Sequence, residues 1–268
     1  MCRNPKPTAT VLAALLVACA LAGPAAAWPF GPSKPAAGAP PKADPAAAAA
    51  EPKKANAQER AAADRLDSLA RSAFWAREAG IDPTDATAGV ELAAALRALG
   101  RYPEASDAVS KVLVLYPDDV EALLESARTS VAASKGFYAL EPLRRAEKVA
   151  PRDWRVYSLM AVAHDQNQQP DEARAAYGQA LALSPDNPAV LSNLGLWYAT
   201  HGQAAQGESY LRRAAAQPAA SAQERQNLAL VLGMEGKLAD AESLMREDLP
   251  PDVAAGNMAY LQAATKVR

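Results

Sequence analysis

Any catalysis in this chain would have to run through very few side chains. Histidine, the usual general base near neutral pH and a frequent metal ligand, occurs only at His164 and His201. Cysteine occurs only at Cys2 and Cys19. Both thiols lie close to the N-terminus, so the rest of the chain has neither a disulfide framework nor a CxxC metal site. No constellation of His, Cys and carboxylates accompanies either histidine. Asp118-Asp119 is an acid pair of the kind used in general acid–base work, but it falls where a helix needs an N-cap. The sequence contains no P-loop, no G-x-G-x-x-G and no G-x-S-x-G. These residues point to a non-enzymatic protein with no cofactor, no metal and no small-molecule substrate. His164 falls at a packing position and reads as a partly buried core residue. His201, beside a turn glycine, reads as solvated.

The elements that would carry any site follow from composition. Half of the 268 residues are apolar but only 6% are aromatic, so the apolar character comes mainly from Ala, Leu and Val. Ala and Leu lose little on entering a helix, and small side chains favour closely packed helices. The formal net charge of −2, with no cluster of Lys and Arg among aromatics, gives no nucleic-acid signature.

The first 27 residues read as an export signal. Arg3 and Lys6 precede an apolar run from Val11 to Ala22, too short to span a bilayer comfortably. Two endings compete. Leu16-Val17-Ala18-Cys19 has the form of a lipobox, in which Cys19 is acylated and becomes the new N-terminus. Ala25-Ala26-Ala27 has the form of an ordinary A-x-A cleavage site. With Cys19 lipidated, several acyl chains would anchor the protein stably to a membrane. Ala20 after the cysteine, where Asp would mark inner-membrane retention, points to the periplasmic face of the outer membrane. The alternative ending gives a soluble periplasmic protein. Residues 28–59 are rich in Pro and Ala without apolar periodicity, which predicts a disordered tether.

Downstream the chain repeats itself. Blocks of 34 residues at 86–119, 120–153, 154–187, 188–221 and 222–255 align without a gap. The eighth position is Ala93, Ala127, Ala161, Gly195 and Ala229. The twentieth is Ala105, Ala139, Ala173, Gly207 and Ala241. Two columns of tiny side chains let paired antiparallel helices approach closely. Asp119, Asp153, Asn187 and Ser221 end successive blocks, preceded in register by Asp85, and these residue types cap helix N-termini. Gly100, Gly202 and Gly236 mark the turn inside three units, where glycine supplies a left-handed residue after a helix. Ser134 and Gln168 hold that place in the other two.

A 34-residue helix–turn–helix period is the tetratricopeptide signature. The expected fold is all-α, a right-handed solenoid of about five units. A single helix over 60–79 and another over 253–268 would cap its ends, with Asp248 and Pro250-Pro251 cutting the last unit short.

A solenoid of this kind presents its first helices to a concave groove. Positions two, five, six and nine of each unit face it. There the sequence places Arg128, Arg155, Ser158, Ser192, Asn193, Leu196, Gln223, Gln226, Asn227 and Leu230. Asn193 and Asn227 share position six, where an amide can bracket a peptide backbone or brace a neighbouring helix. The groove is expected to take a segment of a protein partner.

Residues 225–242, RQNLALVLGMEGKLADAE, followed by 248–263, DLPPDVAAGNMAYLQA, resemble the C-terminal part of the TadD family. These are tetratricopeptide lipoproteins of the tight-adherence (Flp) pilus assembly system. The resemblance covers about residues 60–268. It implies an accessory role in Flp pilus assembly at the inner face of the outer membrane. The implied partner is the pilus secretin or another pilus component, held in the manner of pilotins. It implies no catalytic residue. The other reading is a general envelope scaffold for outer-membrane protein assembly or cell-wall enzyme recruitment.

Overall fold

The computed structural model describes residues 53–266. The export signal, Cys19 and most of the tether lie outside the described residues. Within them the chain forms thirteen helices and no strand. Five helix pairs follow the repeat. They are α3 (Ala86–Ala98) with α4 (Tyr102–Leu115), α5 (Val120–Ala132) with α6 (Gly136–Val149), α7 (Trp154–Gln166) with α8 (Pro170–Leu183), α9 (Pro188–Thr200) with α10 (Ala204–Ala215), and α11 (Ala222–Met234) with α12 (Leu238–Asp248). Helices α1 (Ala57–Ala63) and α2 (Ser68–Ile81) precede them and α13 (Pro251–Lys266) follows.

Each first helix starts on its expected cap. Asp85 accepts from the Ala88 N–H at 3.1 Å, Asp119 from Ala122 at 2.8 Å and Asp153 from Arg155 at 2.9 Å. Asn187 accepts from Ala189 at 3.0 Å, and Ser221 from Gln223 at 3.1 Å. All five turns between paired helices use a left-handed residue. Gly100, Gly202 and Gly236 have φ of 73°, 78° and 80°, and Ser134 and Gln168 adopt 57° and 59°. The register of the repeat therefore imposes this conformation even where a side chain opposes it.

The two small-residue columns are buried throughout. Between α9 and α10 the backbones themselves meet: a Cβ on Gly207 would lie 2.5 Å from the Gly195 carbonyl oxygen. The apolar core runs the length of the solenoid as four consecutive clusters, the largest centred on Leu123, Leu143, Tyr157, Tyr177 and Trp197.

The N-terminal cap differs from expectation. It is two helices, not one over 60–79, and α1 begins at Ala57, inside the stretch read as tether. Asn56 and Glu59 form a reciprocal capping box for α1, while Asp67 accepts from Leu69 and Ala70 to start α2. A second strong cap so close to the first breaks the helix. Helix α2 then runs through Gly80 and ends at Ile81, because Pro83 disfavours helical backbone at the residue before it. At the other end α12 stops at Asp248 and Pro251 opens α13, the helix position that lacks no hydrogen bond when proline fills it.

Candidate peptide-binding groove

The first helices of neighbouring units approach each other closely at α3 with α5, α5 with α7 and α9 with α11, whereas the second helices do not. The stack therefore curves with the first helices inside. Their exposed positions line the groove.

Its N-terminal half is charged and largely self-neutralised. Glu125, 1% exposed, accepts from Arg97 Nε at 2.6 Å and lies 3.5 Å from Arg128. Arg155 is held by Asp153 at 2.6 Å and Glu121 at 2.7 Å. Asp153 first and Glu121 next hold the guanidinium in its charged form. Burial is the largest pull on Asp153 and acts upward, yet Arg155 and its backbone N–H together keep that carboxyl below its usual range. On α3, burial and then Asp64 push Glu91 upward.

The polar residues of the C-terminal half face their neighbours. Asn193 Nδ2 donates to Ser158 Oγ at 3.2 Å, one repeat back. Asn227 Nδ2 donates to Ser192 Oγ at 2.9 Å, and its Oδ1 accepts from Gln223 at 2.9 Å. Ser158, Ser192 and Asn227 are 4%, 2% and 8% exposed. The two amides at position six thus brace consecutive first helices, and Asn227 is buried by doing so. Gln226 and Leu196 are half-buried, as is Leu230. With Val162 at the same repeat position, Leu196 and Leu230 form an apolar row along three units. This row shares the accessible surface of the C-terminal half with Asn193, Gln223 and Gln226, whereas Asn227 is buried.

His164 is half-buried, with Nδ1 2.8 Å from Gln169 Oε1. His201 is exposed, but it is not simply solvated. Its Nε2 lies 3.1 Å from Asp165 Oδ1, an oxygen that also accepts from Trp197 Nε1 at 3.0 Å. Trp197 itself is buried in the seam at 7% exposure. The sequence reading missed this carboxylate. The signal was available, because Asp165 precedes Trp197 by 32 residues and the two serine–asparagine pairs are 35 apart. Complementary polar residues about one repeat apart are the pairs that stacking brings together.

Comparison with known proteins bears on the fold. A tetratricopeptide-repeat model matches residues 86–129, and a second model described as a TPR repeat matches 165–202. No curated protein matches the sequence. Among solved structures, a thermophilic TPR protein of Thermus thermophilus is 22% identical with a TM-score of 0.59, covering 66% of this chain and 98% of its own. A tetratricopeptide repeat protein from Parabacteroides merdae is 11% identical with a TM-score of 0.63, covering 76% and 80%. PilF of Pseudomonas aeruginosa is 16% identical with a TM-score of 0.52, covering 77% and 92%. At these identities the likeness is one of fold.

Proposed function

We propose that this tetratricopeptide-repeat solenoid is a non-enzymatic adaptor in Flp (tight-adherence) pilus assembly. In this reading it is an outer-membrane lipoprotein acylated at Cys19, facing the periplasm. Its groove holds a segment of the pilus secretin or of another pilus component, as a pilotin would. Repeats of this kind are stacked interaction surfaces rather than catalytic frames, which supports the adaptor half. The observation that carries the pilus half is the C-terminal segment, 225–242 with 248–263, which resembles TadD proteins beyond the repeat columns.

The apolar row defines the contact. Leu196 and Leu230 would receive apolar side chains of the partner segment, while the charged half of the groove sets its orientation. The experiment is co-purification of the tagged protein from its own envelope, with mass spectrometry of bait and partners. The expected result is recovery of the secretin, an acylated N-terminal Cys19, and loss of the secretin in a folded Leu196→Asp, Leu230→Asp variant. A bait beginning at Trp28 that recovers cell-wall enzymes instead would replace the pilus adaptor by a soluble envelope scaffold.

A further inference from the structure

The second helix of the second repeat, α6, carries a surface unlike the rest of the solenoid. Residues 135–152 hold five cations, Lys135, Arg144, Arg145, Lys148 and Arg152, against two acids, Glu141 and Glu147. The whole chain, by contrast, has a formal net charge of −2. Large apolar side chains gather at the same place. Eleven are exposed among the described residues, and six of them lie on α6 or at the end of α4: Val114, Leu115, Tyr116, Phe137, Tyr138 and Val149. Phe137 and Tyr138 are 72% and 67% exposed and meet edge to face, centroids 5.7 Å apart and planes at 86°.

Helix geometry explains how one face holds both kinds of residue. Ala139, Leu140, Leu143 and Ala146 bury one side of α6. Phe137, Glu141, Arg144 and Lys148 follow one another at spacings of four, three and four, so they form one exposed stripe on the other side. Tyr138 and Val149 flank it. Arg145 donates to the Pro117 carbonyl oxygen and lies 4.0 Å from Asp118, which sets the exposed last turn of α4 beside the end of α6. The acids do not cancel the cations. Glu141, at 3.7 Å, and Asp118 share Arg145, and Glu147 turns toward Tyr157. On α4, Lys111 and Asp107 offset each other in charge. Lys135, Arg144, Lys148 and Arg152 are exposed and form no ion pair among the described residues.

We propose that the exposed face of α6, with the end of α4, is a docking surface for an anionic phospholipid membrane. The mixture of side chains selects this partner. The buried core of a protein interface is depleted of charge, and of lysine above all, whereas here unpaired cations run between apolar groups along one stripe. A nucleic acid would use the rings and the cations, but Val114, Leu115 and Val149 offer nothing to a base or a phosphate. A bilayer surface uses all three. Its phosphates take the cations, its headgroup region takes the aromatic rings, and its acyl boundary takes the aliphatic side chains and the stems of Lys and Arg. From Phe137 to Lys148 the stripe is about 17 Å long. It lies on a second helix, outside the curve of the stack, so the groove stays free for a protein segment. The contact does not depend on acylation at Cys19. Where that anchor is present, the α6 face fixes which side of the solenoid meets the bilayer.

The test uses the full chain with Cys2→Ser and Cys19→Ser, and a single new thiol, Glu141→Cys or Ser209→Cys, carrying a polarity-sensitive dye. Ser209 is exposed and holds on α10 the repeat position that Glu141 holds on α6. The probes are vesicles of phosphatidylglycerol with phosphatidylethanolamine, and vesicles of phosphatidylcholine. The dye at 141 should shift to the blue on the anionic vesicles alone, and the dye at 209 on neither. Arg144→Gln with Lys148→Gln should weaken the apparent affinity about 30-fold, or about fivefold per charge. Phe137→Ser with Tyr138→Ser should abolish the shift without changing the net charge. All four side chains are exposed, so circular dichroism should show helicity retained. No shift at 141, an equal shift at 209, an equal shift on phosphatidylcholine, or an affinity that either double variant leaves unchanged overturns the proposal. So does a shift at 141 produced by a single-stranded oligonucleotide, which would reassign the surface to nucleic acid.

Discussion

Glu78 has no exposed surface, yet three donors reach its carboxylate. The Ala55 N–H lies at 3.0 Å, Arg60 at 3.0 Å and Arg77 at 3.1 Å. Arg60 also reaches Asp85 at 2.7 Å and lies over the Trp75 ring at 5.5 Å. One buried carboxylate therefore fastens α1 and the residues before it to α2, and Arg60 carries the link on to Asp85, the cap of the first repeat. Replacing it by Ala leaves the half-buried Ala55 N–H and a guanidinium short of an acceptor, at a cost of about 2 kcal/mol. Amide exchange should show lost protection in α1 with α9 unchanged. At the same scale, Ser134 and Gln168 occupy left-handed backbone that favours glycine. Ser134→Gly and Gln168→Gly should each raise stability by about 0.5–1 kcal/mol in urea titrations, because relief of the left-handed strain exceeds the entropy a glycine adds to the unfolded chain.

Among elements, the pairing of α9 with α10 depends on two glycines in contact. A Cβ on Gly195 would stand 2.7 Å from Leu211 Cγ and 2.9 Å from the Gly207 carbonyl oxygen. Because backbone blocks the space, Gly207→Ala must push the helices apart. The expected loss is about 1–3 kcal/mol, read as a lower urea midpoint with helicity retained. The same substitution at Gly178, where nothing lies within 4 Å of the added carbon, should be neutral or slightly stabilising. The contrast separates close packing from helix propensity.

Across the whole molecule, carboxylates join successive elements and set the response to acid. Burial is the largest influence on Asp85 and pulls it upward, but Arg60, the Ala88 N–H and Lys54 together hold it below its usual range. Arg225 does the same to Asp248, joining α11 to the end of α12 at 2.5 Å. A depressed folded value means that the stabilisation is complete above the unfolded value of about 3.9 and disappears as pH falls through the folded one. Urea midpoints should therefore fall between about pH 4 and pH 2, with the caps losing amide protection before the central repeats.

How much of this was legible in the sequence depends on the range of each constraint. The 34-residue frame, the tiny residues at positions eight and twenty, and the Asp, Asn and Ser caps are requirements of local backbone. A cap must place an oxygen beside free N–H groups two or three residues away, so its type and place show in one dimension. The break between α1 and α2 was also local, marked by Asp67, but the continuing apolar pattern masked it. The groove was legible only as a set of positions. Whether Asn227 meets a ligand or Ser192, and whether His201 meets water or Asp165, depends on the offset between stacked units. That offset is decided by side-chain volumes at each joint, as Trp197 and Tyr177 show. The sequence by itself determined the repeat, its helices and its close-packed columns, because each rests on contacts within one unit. Only the tertiary structure decided which polar side chains brace the solenoid and which apolar ones remain open, because those partners lie about a repeat apart along the chain.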